Sequence, residues 1–324
     1  MAASSPRQNS GLQTMSGSDG FGASGGGGEP ISEVEALRRL RLTDDPSAQY
    51  YAAWWLGRNR SRHPEAVPLL QEALRQRRPR DPGAGVEENA VARNAARALG
   101  KLGTPAAAAI PDLLATLDDD DHGLREAAAR ALGELRAEAA VQALCRRLAS
   151  GPSVAGAMQP GTPRLQEPCE ALLEALGEIG SAEAEVLAVI RPFVEHERPL
   201  IRSAACRALL QLTAEPHWGQ QLVSLLQHQQ LQVRRAALMD LGAAGWRPAL
   251  EPIAATLAEN SLKLIALRGL VENSAERASA RAAAPSSADH ALNDATDNDD
   301  ATDNDSTALN DSIEAVLAAM DALL

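Results

Sequence analysis

From Val91 the chain reads VARNAARALGKLG, and from Leu124 it reads LREAAARALGEL. In the second stretch Leu124, Ala127, Ala128, Ala131 and Leu132 follow the i, i+3, i+4, i+7, i+8 spacing of a helix with one buried side. The Ala-Leu-Gly tripeptides of the two stretches, 98–100 and 131–133, are 33 residues apart. PCEALLEALGEIG places its tripeptide 44 residues later, after a Gly/Pro-rich insertion near 150–167. LIRSAACRALLQLT follows at 33 residues and VRRAALMDLGAAG at 32. SAQYYAAWWLGR is an earlier copy, with Gly57 lying 43 residues before Gly100, and SLKLIALRGLV is a shortened last one. A period in the low thirties predicts an all-α chain of about six or seven two-helix units, a right-handed α-solenoid.

Each unit carries a second apolar run with a weaker signature, such as PEAVPLLQEAL, PAAAAIPDLLATL and AEAAVQALCRRL. Pro64 and Pro105 suit the first turn of these second helices, where no amide partner is needed. The glycine after each leucine is expected to end the first helix in a left-handed conformation. The first helices of several units begin with arginine: Arg125, Arg202 and Arg234. Acidic loops precede some of them, which predicts a ladder of arginine–carboxylate contacts between successive units. A ligand with acidic groups is the alternative use of these arginines.

The pattern stops at both ends. Residues 1–30 are rich in Ser and Gly and read as a disordered tail. Residues 31–273 hold the repeats. Residues 274–310 read as a disordered Asp-rich linker in which DATDND occurs twice in succession, and 311–324 as a C-terminal amphipathic helix. The doubled stretch lacks the turn glycine and closing glutamate of a calcium loop. The helix is expected to dock through Ile313, Val316, Leu317, Met320, Leu323 and Leu324, because so short a helix is marginal alone.

Charge narrows the partners. The formal net charge of the 324 residues is −12, and Pro285–Ser312 contributes eight Asp and no Lys or Arg. Nucleic acid is therefore not an expected partner. No apolar run reaches membrane-spanning length, and the N-terminus lacks a signal peptide's apolar core. Three cysteines without CxxC or metal spacing fit a soluble protein of the reducing cytoplasm. Cys145 and Cys206 fall at helix-interior positions and read as small buried hydrophobes. Cys169 follows Pro168 at a helix start, where the dipole would lower a thiol pKa; a structural role is still the plainer reading. No phosphate-binding glycine loop, nucleophile elbow or zinc pattern occurs, and neither a metal site nor a resident cofactor is expected.

Aromatic residues make up only 2% of the chain, yet four of them stand together in YYAAWW, 50–55. Tyr51, Trp54, Trp55 and Arg58 share one side of a helix. The rings have three open uses: contact with a partner or capping of the array, stacking on a planar ligand, or internal packing. Asn260 and Lys263 in ENSLKLIALRGL would cap a helix or meet a ligand, capping being the plainer role.

DDPSAQYYAAWWLGR (44–58), RNAARALGKLG (93–103), ENSLKLIALRGLV (259–271) and AVLAAMDALL (315–324) resemble, in the same order, segments of the HEAT-like repeat phycobilin lyase family. Within it they are most similar to the E-type (alpha) subunits of heterodimeric E/F phycocyanobilin lyases. The resemblance implies HEAT-like repeats and an F-type partner subunit. It implies an enzyme, active only with that partner, that joins phycocyanobilin to a cysteine of the phycocyanin α-subunit by a thioether. Phycocyanobilin is then a substrate. On this resemblance Tyr50, Tyr51, Trp54, Trp55, Arg58, Asn260 and Lys263 are candidates for bilin or partner contact; no catalytic residue is assigned. A non-catalytic scaffold or chaperone for phycobiliprotein assembly is the alternative from another class, and a lyase for another bilin or for phycoerythrin the alternative within it.

Overall fold

A computed structural model describes residues 31–78, 89–283 and 314–324. The chain runs through α1 (Glu33–Leu40), α2 (Pro46–Arg58), α3 (Ala66–Arg75), α4 (Ala90–Leu102) and α5 (Ile110–Thr116). It continues through α6 (His122–Glu134), α7 (Val141–Leu148), the short α8 (Pro152–Ala155), α9 (Cys169–Ile179) and α10 (Ala184–Ile190). The last elements are α11 (Pro199–Thr213), α12 (Pro216–Leu225), α13 (Leu231–Ala244), α14 (Leu250–Ala255) and α15 (Asn260–Ala283), followed by a helix at 314–321. The first helices of the units, α2, α4, α6, α9, α11, α13 and α15, pack each on the next. The second helices, α3, α5, α7, α10, α12 and α14, form the other layer. This is the all-α array of two-helix repeats that the period predicts.

The stripe in α6 is buried as its spacing requires: Leu124, Ala127, Ala128, Ala131 and Leu132 are closed to solvent. The glycines play a different part from the one expected. Gly57, Gly100, Gly133, Gly177 and Gly242 lie inside their helices. A Cβ on Gly57 would stand 2.8 Å from the Cα of Ala98, and one on Gly100 2.8 Å from the Cα of Ala131. Gly133 meets Ala175, Gly177 meets Ala208 and Gly242 meets Ala266 at the same distance. The helix backbones approach so closely that only hydrogen fits on one side and a methyl group on the other. The exception is α11, where Leu210 stands in the glycine's place and α13 presents Asp240 instead of alanine.

The left-handed residue comes three positions after that glycine. Arg60, Gly103, Arg136, Gly180 and Gly245 all have positive φ there, and Ala214 plays this part after α11. Two prolines also shift from expectation: Pro64 precedes α3, and Pro105 lies in a 3-10 turn leading into α5. Several second helices open with such a tight turn, which explains their weak helical signature.

The expected arginine–carboxylate ladder is replaced at the helix starts by a backbone clamp. Arg125 Nη1 donates to the carbonyls of Asp119 and Asp120, Arg202 Nη1 to those of His196 and Glu197, and Arg234 Nη1 to those of His228 and Gln229. Each guanidinium thus reaches five and six residues back and closes its own inter-helix loop. The loop carbonyls, which no helix satisfies, gain charged donors this way. Carboxylates enter only as additions, as in the 3.3 Å pair of Arg125 with Glu167. The equivalent position of α2 holds Gln49 and that of α15 Lys263, and each donates 2.9 Å to a carbonyl nine residues back. In α9 the position holds Cys169.

One boundary differs from the sequence reading. Helix α15 continues to Ala283, so 274–283 is helical where a linker was expected. The two DATDND copies and Ile313 lie outside the described residues. On the 314–321 helix Val316 is buried, whereas Leu317 is 53% exposed and Leu324 faces solvent. Its docking face is therefore narrower than the apolar pattern suggests. Among the described residues no helix is long and apolar enough to cross a membrane.

Two substitutions test the packing and the helix ends in urea melts. Gly100→Val should destabilise by about 1–3 kcal/mol through overpacking against Ala131. Ala214→Gly should stabilise by about 0.5–1 kcal/mol by relieving a left-handed alanine. A neutral Gly100→Val would contradict the close helix approach.

Candidate functional site

Counting from the leucine that precedes each packing glycine, residues at −6, −2 and +2 fall on one side of the first helix. They form a row turned away from the second-helix layer. On α2 this row is Tyr50, Trp54 and Arg58; on α4 it is Arg93, Arg97 and Lys101. On α6 it is Glu126, Arg130 and Glu134, and on α9 Glu170, Glu174 and Glu178. The open face thus passes from aromatic to basic, to mixed, to acidic. Side chains here are released from the packing that dictates Ala, Leu and Gly on the other sides.

The aromatic cluster is the beginning of this face. Tyr51 and Trp54 stack with ring centroids 5.4 Å apart, and the Arg58 guanidinium lies 5.5 Å from the centre of the Trp54 ring. Trp54 is 40% exposed and Tyr51 42%, while Trp55 is half-buried. Beneath them Ala52, Ala53, Leu56 and Gly57 make the actual core contacts. Internal packing alone does not account for rings so exposed. Trp55 and Tyr51 occupy the places of Ala98 and Asn94, which in α4 face the preceding first helix. Among the described residues no first helix precedes α2, so large rings fit where later units need small side chains. Asn94 Nδ2 donates 3.1 Å to the Tyr50 carbonyl and ties the two helices at this point.

Further along the face a groove opens. One part, of about 480 Å³, has an apolar side of Pro168, Ala171, Leu200, Ala236 and Met239, and the buried Arg207 and Asp240 also line it. The other, of about 360 Å³, is lined by Arg93, Arg97, Arg164 and Arg198. His122, Glu126 and Glu170 line both parts and so stand at their junction. The insertion between α7 and α9 builds one wall. Its backbone pairs Met158 with Leu165 in antiparallel fashion and presents Pro163, Arg164 and Leu165 to the groove. Arg125 holds the far end of the insertion through a 2.7 Å bond from Nη2 to the Gln166 carbonyl. Gly156 leaves room for the His196 imidazole, which would collide with a Cβ there.

The arginine–carboxylate ladder does exist, but on this face rather than at the helix starts. Arg130 pairs with Glu174, and Arg207 pairs with Glu178 and, at 3.4 Å, with Asp240. Asp240 also accepts a 2.5 Å bond from Ser203 Oγ. This polar network sits where Leu210 replaces the packing glycine. Burial raises the Asp240 pKa against the pull of Arg207. Burial also raises that of Glu170, which has no cation within ion-pair distance among the described residues. Glu134 reaches solvent, yet the crowding around its carboxyl and the neighbouring Glu178 charge push it up to about 7. His122 is held below the usual histidine value by burial and by the Arg125 charge, and its Nε2 has no hydrogen-bond partner among the described residues.

The other sequence candidates lie elsewhere. Asn260 Nδ2 donates 2.9 Å to the Leu323 carbonyl and so ties down the C-terminal segment instead of capping α15. Lys263 is buried against the Ala254 carbonyl. Neither lines the groove. Cys169 does open α9, but burial overrides the helix dipole and pushes its thiol up to about 12. Cys206 is pushed to about 12 in the same way, and all three thiols are free. Among the described residues no group of three or more metal-ligating side chains converges. The groove residues escaped sequence reading because they come from separate units; only the recurrence of charge at −6 and −2 could have found them.

Glu134 gives the face a pH signature. Its folded pKa lies above the ordinary 4.5, so between about pH 4.5 and 7 the native state keeps a proton that the unfolded chain has released. That contribution to stability is full below 4.5 and is lost as pH rises through 7. Glu134→Gln should flatten the fall of the urea midpoint over this window and leave the variant more stable at pH 8. Parallel pH profiles for the two proteins would refute the assignment.

Comparisons with known proteins agree with this architecture. HEAT repeats match residues 84–157 and 169–242, and the PBS lyase HEAT-like repeat matches 48–76 and 233–259. Bilin biosynthesis protein RpcE of Synechococcus sp. (strain WH8020) is 52% identical over 245 residues, 76% of this chain and 91% of that protein. A phycocyanobilin lyase subunit alpha of Picosynechococcus sp. (strain ATCC 27264 / PCC 7002 / PR-6) is 46% identical over 75% of this chain and 88% of its own length. A chain in the solved complex of CpcE and CpcF of phycocyanin lyase from Nostoc sp. PCC7120 superposes with a TM-score of 0.73 at 38% identity, covering 94% of this chain and 98% of that one. The repeats, their order and this extent of identity place the chain in the family of phycocyanobilin lyase alpha subunits, built from PBS lyase HEAT-like repeats.

Proposed function

We infer that this chain is the alpha (E-type) subunit of a heterodimeric phycocyanobilin lyase. With an F-type partner it attaches phycocyanobilin to a cysteine of the phycocyanin α-subunit through a thioether bond. The observation that carries the reading is the agreement with phycocyanobilin lyase alpha subunits along 86% and 88% of their length and with a chain of the solved CpcE–CpcF complex along 98%. In this reading phycocyanobilin is a substrate, no cofactor resides on the chain, and the work is done in the cytoplasm.

The chemistry asks little of a conventional active site. The acceptor sulfur forms one bond to carbon across a double bond of the bilin, and the thiol's proton is balanced by one taken up on the tetrapyrrole. No electron acceptor is needed. Holding the bilin and the acceptor cysteine in one geometry lowers much of such a barrier. The groove offers an apolar side for a conjugated face and, at its junction, the carboxyl of Glu170. A carboxyl whose pKa is raised by burial keeps its proton to higher pH and can share it with ring nitrogens. The exposed rings of α2 serve the partner subunit, because Trp and Tyr with an adjacent Arg are the side chains that anchor interfaces.

Co-expression with an F-type subunit, apo-phycocyanin α-subunit and a bilin source tests the assignment. A red-absorbing adduct that survives denaturation and requires this chain is expected; its spectrum reports the bilin, and peptide mapping reports the cysteine. Equal yield without the chain would reduce it to a scaffold. In the same assay Glu170→Gln should leave the heterodimer intact and slow adduct formation by about tenfold or more. Replacing Trp54 and Trp55 by Ala should weaken association with the F-type subunit in gel filtration more than it lowers the melting temperature. An intact complex that no longer binds bilin would instead assign the rings to the chromophore.

A further inference from the structure

Three of the four arginines of the smaller part of the groove lack the carboxylate partners that neutralise the arginines of the larger part. Arg130 and Arg207 are neutralised by Glu174, Glu178 and Asp240, and Arg93 pairs with Asp121 at 3.2 Å. Arg97, Arg164 and Arg198 have no carboxylate within ion-pair distance among the described residues. The only side-chain hydrogen bond of Arg198 among those residues goes to the Met158 sulfur at 3.4 Å. They come from three places: the open face of α4, the insertion, and the turn before α11. Three unpaired guanidinium groups repel one another, and a structure that gathers them gains when an anion enters. Of the acids on the same groove, Glu126 pairs with Arg130 at 3.4 Å, and Glu170, although it feels the Arg198 charge, forms no ion pair among the described residues.

We propose that Arg97, Arg164 and Arg198 are a receptor for the paired propionate carboxylates of the bilin. The tetrapyrrole then lies along the groove from this end, past Glu170, toward Met239. Guanidinium forks suit carboxylates in a bidentate fashion, and two carboxylates engage three forks without leaving one carboxylate unpaired. The two parts of the groove, about 360 and 480 Å³, together have the size of a site for a ligand of this class. The insertion that breaks the repeat period is thereby a specificity element. It supplies Arg164, and through Met158 it positions Arg198. This assignment rests on the lyase reading and deepens it.

The test uses the purified heterodimer with its F-type subunit. Phycocyanobilin and its dimethyl ester are titrated against it, with absorbance as the readout. The parent complex should bind the free acid at least tenfold more tightly than the ester. Arg97→Gln/Arg164→Gln/Arg198→Gln should abolish that preference by weakening binding of the free acid far more than that of the ester. Arg164→Gln alone, on the insertion, should reduce the preference at least threefold and keeps the test valid if the triple variant assembles poorly. A parent complex that binds acid and ester alike, or variants that keep the parent's preference, would overturn the receptor. Failure of the lyase reading looks different: the parent complex would then form no adduct at all.

Discussion

The structure depends on the contact between a glycine of one first helix and an alanine of the next. A Cβ on the glycine would lie 2.8 Å from the neighbouring Cα, so the backbones are as close as side-chain chemistry allows. Such contacts carry dispersion energy over the whole length of two helices and require no aromatic residue. This explains an aliphatic core in a chain with 2% aromatic residues. It also fixes the direction of every other side chain. Once Gly and Ala face the neighbouring first helices and Leu faces the second layer, the −6, −2 and +2 positions have nowhere to point but outward.

That division separates what holds the fold from what gives it chemistry. The packed positions repeat because each unit solves the same steric problem. The outward row changes from unit to unit, from rings to arginines to carboxylates, because the close backbone packing does not dictate it. The one unit where the packing rule lapses, at Leu210, is where a buried network of Ser203, Arg207 and Asp240 fills the interface. Exchanging a hydrophobic contact for a charged network keeps only modest stability and places titratable groups beside the groove.

Much of the architecture was legible in the sequence. The period, the two-helix unit and the stripe Leu124–Leu132 follow from spacing alone. The part played by the glycines was not, because a packing glycine and a capping glycine leave the same mark in a sequence, and here they stand three residues apart. The helix-start arginines misled for a related reason. Their acidic neighbours suggested carboxylate partners, whereas the loop carbonyls they satisfy are invisible in a string of side chains. The four rings of α2 could be placed at the start of the array, and their stacking geometry follows from i, i+3 spacing. The groove could not be read, since its members are drawn from α4, α6, α9, α11, α13 and the insertion between α7 and α9.

Cys169 stands where Arg125, Arg202 and Arg234 stand in their own units, so the loop before α9 has no clamp of its own. Arg125 of the preceding unit reaches forward to hold it, bonding Gln166 while still closing its own loop. One guanidinium thus joins two consecutive repeats that would otherwise open independently, as neighbouring units in such arrays can. The cooperative unit at this point is a pair of repeats, and it is the pair that frames the groove. Amide exchange in the 119–121 and 166–167 loops would accordingly occur with one common rate-limiting opening, and the insertion between α7 and α9 is anchored to the stability of a neighbour's helix.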